Sequence, residues 1–310
     1  AAKGVAGLVG CRAGDVYVAS TGVIGENLPV EKVVKVLPRV YKSLKAAPWH
    51  DAAVAIMTTD TFPKGASVTT EIGGKPVTIS GIAKGSGMIA PDMATMLAYV
   101  FTDAKLPAGV LQSLLKVAAD ASFNSITVDS DTSTSDTLQL FATGQAKHPA
   151  IAKVGDPALR KFRQALDALC LDLAHQVIRD GEGAQKFIEI AVSGAKSTRA
   201  ARTIGLSIAN SPLVKTAIAG GDANWGRIVM AVGKSGQDIA ETSLNISVGG
   251  HPVAINGAPP AGYDETPVAK HMAGQNVAIH VDVGVGRGKA TVWTCDLTHG
   301  YIDINADYRS

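Results

Sequence analysis

A lysine and a threonine set among glycines carry the clearest chemical signal in this chain. Lys84-Gly85-Ser86-Gly87-Met88 runs through Pro91-Asp92-Met93-Ala94 into Thr95, and the apolar run Met96-Leu97-Ala98-Tyr99-Val100-Phe101 follows at once. Loops held by a rigid scaffold are where reactive groups are aimed. The apolar run is long enough for a buried strand and too short for most helices, which puts Thr95 at a strand mouth. A threonine hydroxyl is a weak nucleophile until a base lies beside it. Cleaving the Ala94–Thr95 bond would supply one, because the new α-amine has a reference pKa of about 7.7–8.0 against about 10.4 for lysine. Such an amine is partly neutral near physiological pH and can take the hydroxyl proton. Gly85, Gly87 and Pro91 suit a turn that holds the hydroxyl over the preceding carbonyl. A β-forming threonine opening a strand fits the same residues, and composition taken alone favours it.

Other groups could complete such a site. Thr21-Gly22 pairs a hydroxyl donor with a glycine N–H open to close approach, the makings of an oxyanion hole or of a plain strand-to-helix turn. Thr58-Thr59-Asp60-Thr61 offers hydroxyls for a ligand carboxylate, or for turn capping. Lys84 and Glu182, the latter in Asp180-Gly181-Glu182-Gly183, supply opposite charges that as isolated residues would sit in solvent. Gly284-Val285-Gly286-Arg287-Gly288-Lys289 fails the phosphate-loop pattern, because Ala290 stands where Ser or Thr is needed, and is read as a hairpin loop. Gly220-Gly221-Asp222-Ala223-Asn224-Trp225-Gly226-Arg227 fits a functional loop and a helix cap equally.

The elements that must position these groups alternate along the chain. Strands are expected at residues 15–19, 52–57, 67–72, 77–82, 96–101, 186–192, 243–248, 253–255, 277–283, 290–294 and 301–305. Helices are expected at 29–45 with a kink or break at Pro38, at 107–123, 156–179 and 198–209, and from about 224. Gly73-Gly74 marks a two-residue hairpin. Its likeness to Val248-Gly-Gly-His-Pro-Val253 reads as a reused turn rather than a duplication. Hairpins mixed with helices give an α/β class with mixed or antiparallel sheets. The pattern restarts near 195, dividing the chain into 1–195 and 196–310.

Bulk properties exclude several roles. The 310 residues can bury a large core, and 29 Lys plus Arg against 27 Asp plus Glu leave no excess charge for nucleic acid or an anionic membrane. Apolar runs are far shorter than a bilayer span, and no signal peptide is visible at the start. Cys11, Cys170 and Cys295 read as buried reduced thiols, and the seven histidines are scattered without metal-ligand spacing.

Taken together, the motifs resemble the ornithine acetyltransferase (glutamate N-acetyltransferase) family of arginine biosynthesis. The resemblance covers essentially the whole chain. It is carried by Ser20-Thr21-Gly22-Val23-Ile24-Gly25, Thr58-Thr59-Asp60-Thr61, Lys84 to Met88 with Met93-Ala94-Thr95-Met96, Asp129-Ser130-Asp131-Thr132-Ser133, Gly181-Glu182-Gly183-Ala184, Gly221 to Arg227 and Ile304-Asn305-Ala306-Asp307-Tyr308-Arg309-Ser310. It implies a four-layer αββα main domain, akin to the N-terminal-nucleophile enzymes, with a smaller C-terminal α/β domain. It also implies self-cleavage between Ala94 and Thr95 into an α chain, 1–94, and a β chain from 95. Thr95 would be the acetyl-accepting nucleophile, Thr21 and Gly22 the oxyanion hole, and Thr61, Lys84, Thr95, Glu182, Asn305 and Ser310 the substrate-binding residues. The implied reaction is ping-pong, from N-acetylornithine to glutamate, in the cytoplasm and in an α₂β₂ assembly. It needs no metal or cofactor, although some relatives also take acetyl-CoA as donor. The runner-up is an N-terminal-threonine aminopeptidase or amidase of related fold. Family members carry a segment before the point where this chain starts, so the resemblance implies a partial chain.

Overall fold

The computed structural model describes residues 1–44, 49–90 and 96–307. Three helices come first: α1 (Ala2–Val9), α2 (Val30–Lys42) and α3 (Trp49–Ala55). The hairpin of β1 (Lys64–Ile72) and β2 (Lys75–Lys84) turns at Gly73-Gly74 and is followed by β3 (Leu97–Thr102), α4 (Ala108–Ala121), β4 (Thr137–Ala142) and α5 (Arg160–Arg179). The second half contains β5 (Phe187–Ala195), α6 (Thr198–Ala209), α7 (Pro212–Ala219), α8 (Trp225–Gly233), β6 (Asn245–Val248) and β7 (His251–Ala254). It closes with α9 (Thr266–Met272), β8 (Asn276–Asp282), β9 (Gly288–Cys295) and α10 (His299–Asp307).

Two mixed sheets result, so the α/β class is as expected. The first has the order β1-β2-β3-β4, antiparallel except for the parallel β3–β4 pair. The second has the order β7-β6-β8-β5-β9, with β5 and β8 parallel. Helix α5 presents Leu166, Leu169, Leu173 and Val177 along one stripe, the three-and-four spacing of a buried helix face. That stripe packs against β1 and β2 and shares one core with Val77, Ile79, Ala98 and Val100 of the first sheet. Each such aliphatic side chain, fully buried, contributes about 1.5–3 kcal/mol. The other face of this sheet carries a row of rings, with Phe101 stacked on Phe141 at 5.2 Å, Trp49 against Phe101 and the edge of Tyr17 on Phe141. In the second sheet, Ile188, Ile190, Val192 and Val292 pack beneath Ile204 and Ile208 of α6.

Several expectations are corrected by the structure. Residues 15–19 form a short 3-10 turn at Ala13–Asp15 and then irregular chain, because no strand lies alongside to pair with them among the described residues. Residues 52–57, whose short apolar run fits either periodicity, belong largely to α3, with Ala53 its buried residue. Residues 301–305 lie in α10 instead of a strand. The Thr298 Oγ1 accepts from the Gly300 N–H and opens that helix. Gly284 to Lys289 is not a hairpin loop: β5 sits between β8 and β9, so the segment crosses over the end of β5, with the amides of Val285 and Gly286 donating to the Gly194 carbonyl. Cys11 is exposed, while Cys170 and Cys295 are buried, and all three are free. The division near residue 195 stays an expectation; that residue ends β5, a strand of the second sheet.

Candidate active site

A cavity of about 410 Å³ opens where six separate stretches of the chain meet. Thr21 and Gly22 line it from the N-terminal segment, Lys84 and Gly87 from the end of β2, Glu182 from the turn after α5, and Asn305 from α10. Thr58, Asp129, Ser133 and Tyr301 complete much of the wall. The volume lies within the range of small-molecule sites, about 300–1,000 Å³.

Beneath the cavity floor is a buried ionic cluster. The Lys64 ammonium, with no exposed side-chain surface, donates to Asp60 at 2.6 Å and to Asp180 at 2.5 Å. Asp60 also accepts from the amides of Thr58 and Gly85, and Asp180 from the amide and hydroxyl of Thr61. The Ser86 hydroxyl donates to the Asp180 carbonyl. One cluster thus joins the threonine-rich turn, the end of β2 and the end of α5. Burial alone would raise the Asp60 carboxyl. Lys64 and the two amides outweigh it and hold the group below the ordinary carboxylate range.

Lys84 is almost wholly buried, and its Nζ donates to the Thr58 hydroxyl at 3.0 Å. Burial pushes the ammonium below its usual range and nearby Lys64 adds to that, while Asp60, Asp136 and Glu182 pull it back up. Glu182 lies directly over Gly87, where a Cβ would run into its carboxylate. Glu182 Oε2 accepts from Asn305 Nδ2 at 2.8 Å. Gly183, with φ of 70°, lets the backbone of Gly300 and Tyr301 approach so closely that a side chain there has no room. The Thr298 hydroxyl donates to the Gly183 carbonyl and fixes the same junction. Across the cavity, Asp129 accepts from the amides of Met88 and Ile89 and from the Tyr301 hydroxyl. Burial raises the Asp129 carboxyl despite those amides, and burial with the Asp129 charge raises the Tyr301 phenol.

Of the residues singled out from sequence, Thr21, Gly22, Lys84, Glu182 and Asn305 share this one cavity. Thr61 sits outside its lining, with its hydroxyl turned to Asp180. Ala94, Thr95 and Ser310 lie outside the described residues. Sequence reasoning passed over Lys64, Asp136 and Tyr301. A lone lysine opening a strand gives no local sign of two carboxylate partners, one of them 116 residues away. Among the described residues, no group of His, Cys, Asp and Glu is arranged to hold a metal ion, and no helix is long and apolar enough to cross a membrane.

Comparison with known proteins matches residues 1–310 to the model of the ArgJ family. The arginine biosynthesis bifunctional protein ArgJ of Gluconobacter oxydans is 60% identical over 309 residues, covering 100% of this chain and 73% of that protein. The protein of the same name from Agrobacterium fabrum is 55% identical over 312 residues, covering 100% of this chain and 76% of its own length. The crystal structure of ArgJ from Bacillus halodurans superposes with a TM-score of 0.64 at 40% identity, over 66% of this chain and 96% of that one.

Proposed function

The chain belongs to the ArgJ family of bifunctional enzymes of arginine biosynthesis, and on that premise we propose that it moves an acetyl group from N-acetylornithine to glutamate through an acetyl-threonine. The observation that carries this reading is the convergence of Thr21, Gly22, Lys84, Glu182 and Asn305 on one cavity. The chain first cuts itself between Ala94 and Thr95. The freed α-amine of Thr95 takes the proton of its own hydroxyl, and Oγ1 attacks the acetyl carbonyl. Thr21 and the Gly22 N–H hold the resulting oxyanion, a donor pair of which each member is typically worth about 2.7–4 kcal/mol. The C–N bond breaks as the nitrogen receives the proton, and ornithine leaves. The amine of glutamate then attacks the ester, and the Thr95 hydroxyl is restored.

Charge allocates the binding roles. Glu182 suits the side-chain ammonium of ornithine and would repel the side-chain carboxylate of glutamate. Recognition of both substrates therefore rests on the shared amino-acid end, which Lys84 serves with the Thr58 hydroxyl beside it in the cavity wall, while Thr61 acts from outside the lining by holding Asp180. Ser310 joins Asn305 from the C-terminus. These steps need no cofactor, and acetyl-CoA would load the same threonine. We place the enzyme in the cytoplasm as an α₂β₂ assembly.

Denaturing mass spectrometry tests the reading. Two fragments split at Ala94–Thr95 are expected, with one acetyl group added to the Thr95 fragment by N-acetylornithine and removed by glutamate. An uncut chain that takes up no acetyl group would defeat it. Release of free acetate without glutamate would favour an amidase.

A further inference from the structure

Asp136 was not among the residues singled out for chemistry, yet it grips the residue that follows Thr95. Its Oδ1 accepts from the Met96 N–H at 2.8 Å. The next residue, Thr137, donates its N–H to the Met96 carbonyl at 2.9 Å, one bond ahead of the parallel β3–β4 register that begins at Leu97 and Thr137. Residues 136 and 137 therefore clasp Met96 from both sides, one by side chain and one by backbone. The stretch just before them, Asp131 to Ser135, is wall of the substrate cavity. Asp136 itself lines a separate cavity of about 220 Å³ together with Ala90 and Met96, the described residues on either side of the Thr95 stretch.

We propose that Asp136 is a positioning residue for acetyl transfer, its ionised carboxylate tethering the Met96 amide and with it the backbone that carries Thr95. The inference rests on the acetyltransferase reading above and adds to it a second group whose ionisation matters. A charge-assisted hydrogen bond is roughly twice as strong as a neutral one, so the tether slackens when the carboxyl takes up a proton. Burial lifts that carboxyl to about 7, with the Met96 amide and Lys84 pulling against the rise. Lys84, at the end of β2, is the charged group that faces it among the described residues. The neighbours lining its cavity from α4 onward, such as Asn124 and Phe123, are neutral, as are Met96 on the β3 side and Thr137 on its own strand.

The test is the acid limb of kcat/KM for acetyl transfer from N-acetylornithine to glutamate, measured on the full chain. Two groups must then be deprotonated, Asp136 and the Thr95 α-amine. Protonating Asp136 adds up to about tenfold to the amine's loss, so the limb of the unaltered protein should be steeper than about tenfold per pH unit around pH 7, and that of Asp136→Asn about tenfold per unit throughout. The plateau of the variant should be lower by about tenfold, while its thermal transition and its cleavage into two fragments persist. A merely structural role would lower the plateau and leave the steepness alone, which would overturn the proposal. Should Asp136→Asn not fold, Asp136→Glu keeps the charge and should keep the steep limb at a moved midpoint. A limb of only about tenfold per unit in the unaltered protein overturns the proposal with no variant at all. If the unaltered protein transfers no acetyl group, the function reading fails first, and the proposal falls with it.

Discussion

Asn305 and Glu182 are 123 residues apart, and their side chains meet at 2.8 Å where the C-terminal helix closes over the turn after α5. The amide donates to a carboxylate that is itself buried, so Glu182 is held in one place at the cavity wall. Replacing Asn305 by Ala removes a hydrogen bond to a charged group, worth about 1.5–3 kcal/mol. The expected result is a loss of about tenfold or more in kcat/KM for N-acetylornithine. The same bond also contributes to stability, so the thermal transition should fall by several degrees while the fold persists. Steady-state kinetics beside a melting curve measures both, and unchanged kinetics would remove Asn305 from the site.

Lys64 is the keystone of the floor. Lys64→Met leaves Asp60 and Asp180 buried side by side without their cation. Breaking a buried pair in this way typically costs about 3–5 kcal/mol. The pH dependence carries a sign. The folded Asp60 carboxyl titrates below its ordinary value, so its stabilising contribution is complete above the unfolded carboxylate pKa and is lost as the pH falls through the folded one. Without Lys64 that contribution shrinks or reverses. Urea unfolding across pH 3 to 7 should therefore show the largest gap between variant and parent at neutral pH and a narrower one in acid. A constant gap would mean that Lys64 acts only by packing.

How much of this could be read beforehand follows from how far each interaction reaches. The β1–β2 hairpin, β3, α5 and α6 were legible because their signals are local: a Gly-Gly turn, an uninterrupted apolar run, an Asp-Pro start, a periodic stripe. The motifs at Thr21, Lys84, Glu182 and Asn305 were each ambiguous alone, and only their order along the chain pointed to one site. Lys64 and Asp136 stayed hidden because each is defined by a partner far away in sequence. The segment 301–305 was misread because its apolar and polar residues alternate like a strand. Yet Ile302 and Ile304 are exposed, and what decides its conformation is the junction with Gly183.

Gly87 gives a steric test of Glu182. A methyl group at this position would occupy the space of the Glu182 carboxylate. In Gly87→Ala the carboxylate must swing away, and a displacement of about 1 Å near a reacting centre can cost about a hundredfold in rate. We expect kcat/KM for N-acetylornithine to fall by that order. Glutamate, which has no side-chain ammonium to place on Glu182, should lose less in the second half-reaction. Single-turnover measurements of acetylation and of discharge separate the two, and equal losses would contradict the assignment of Glu182 to the ornithine end.

Gly183 tests whether α10 must stay docked. Its φ of 70° disfavours any residue with a Cβ, and a Cβ here would also strike the backbone of Gly300 and Tyr301. The backbone strain alone amounts to about 1–3 kcal/mol. The clash cannot be relieved by turning a side chain, because the atoms met are main chain. Relief comes by moving α10 away from the turn, which would break the Asn305–Glu182 and Thr298–Gly183 bonds together. Gly183→Ala should therefore lose at least as much activity as Asn305→Ala, and amide exchange across His299–Asp307 should quicken while α5 and the first sheet stay protected. Combining the two changes should cost little more than Gly183→Ala alone, since both act through one contact. Additive losses in the double variant would show that the helix and the carboxylate work independently.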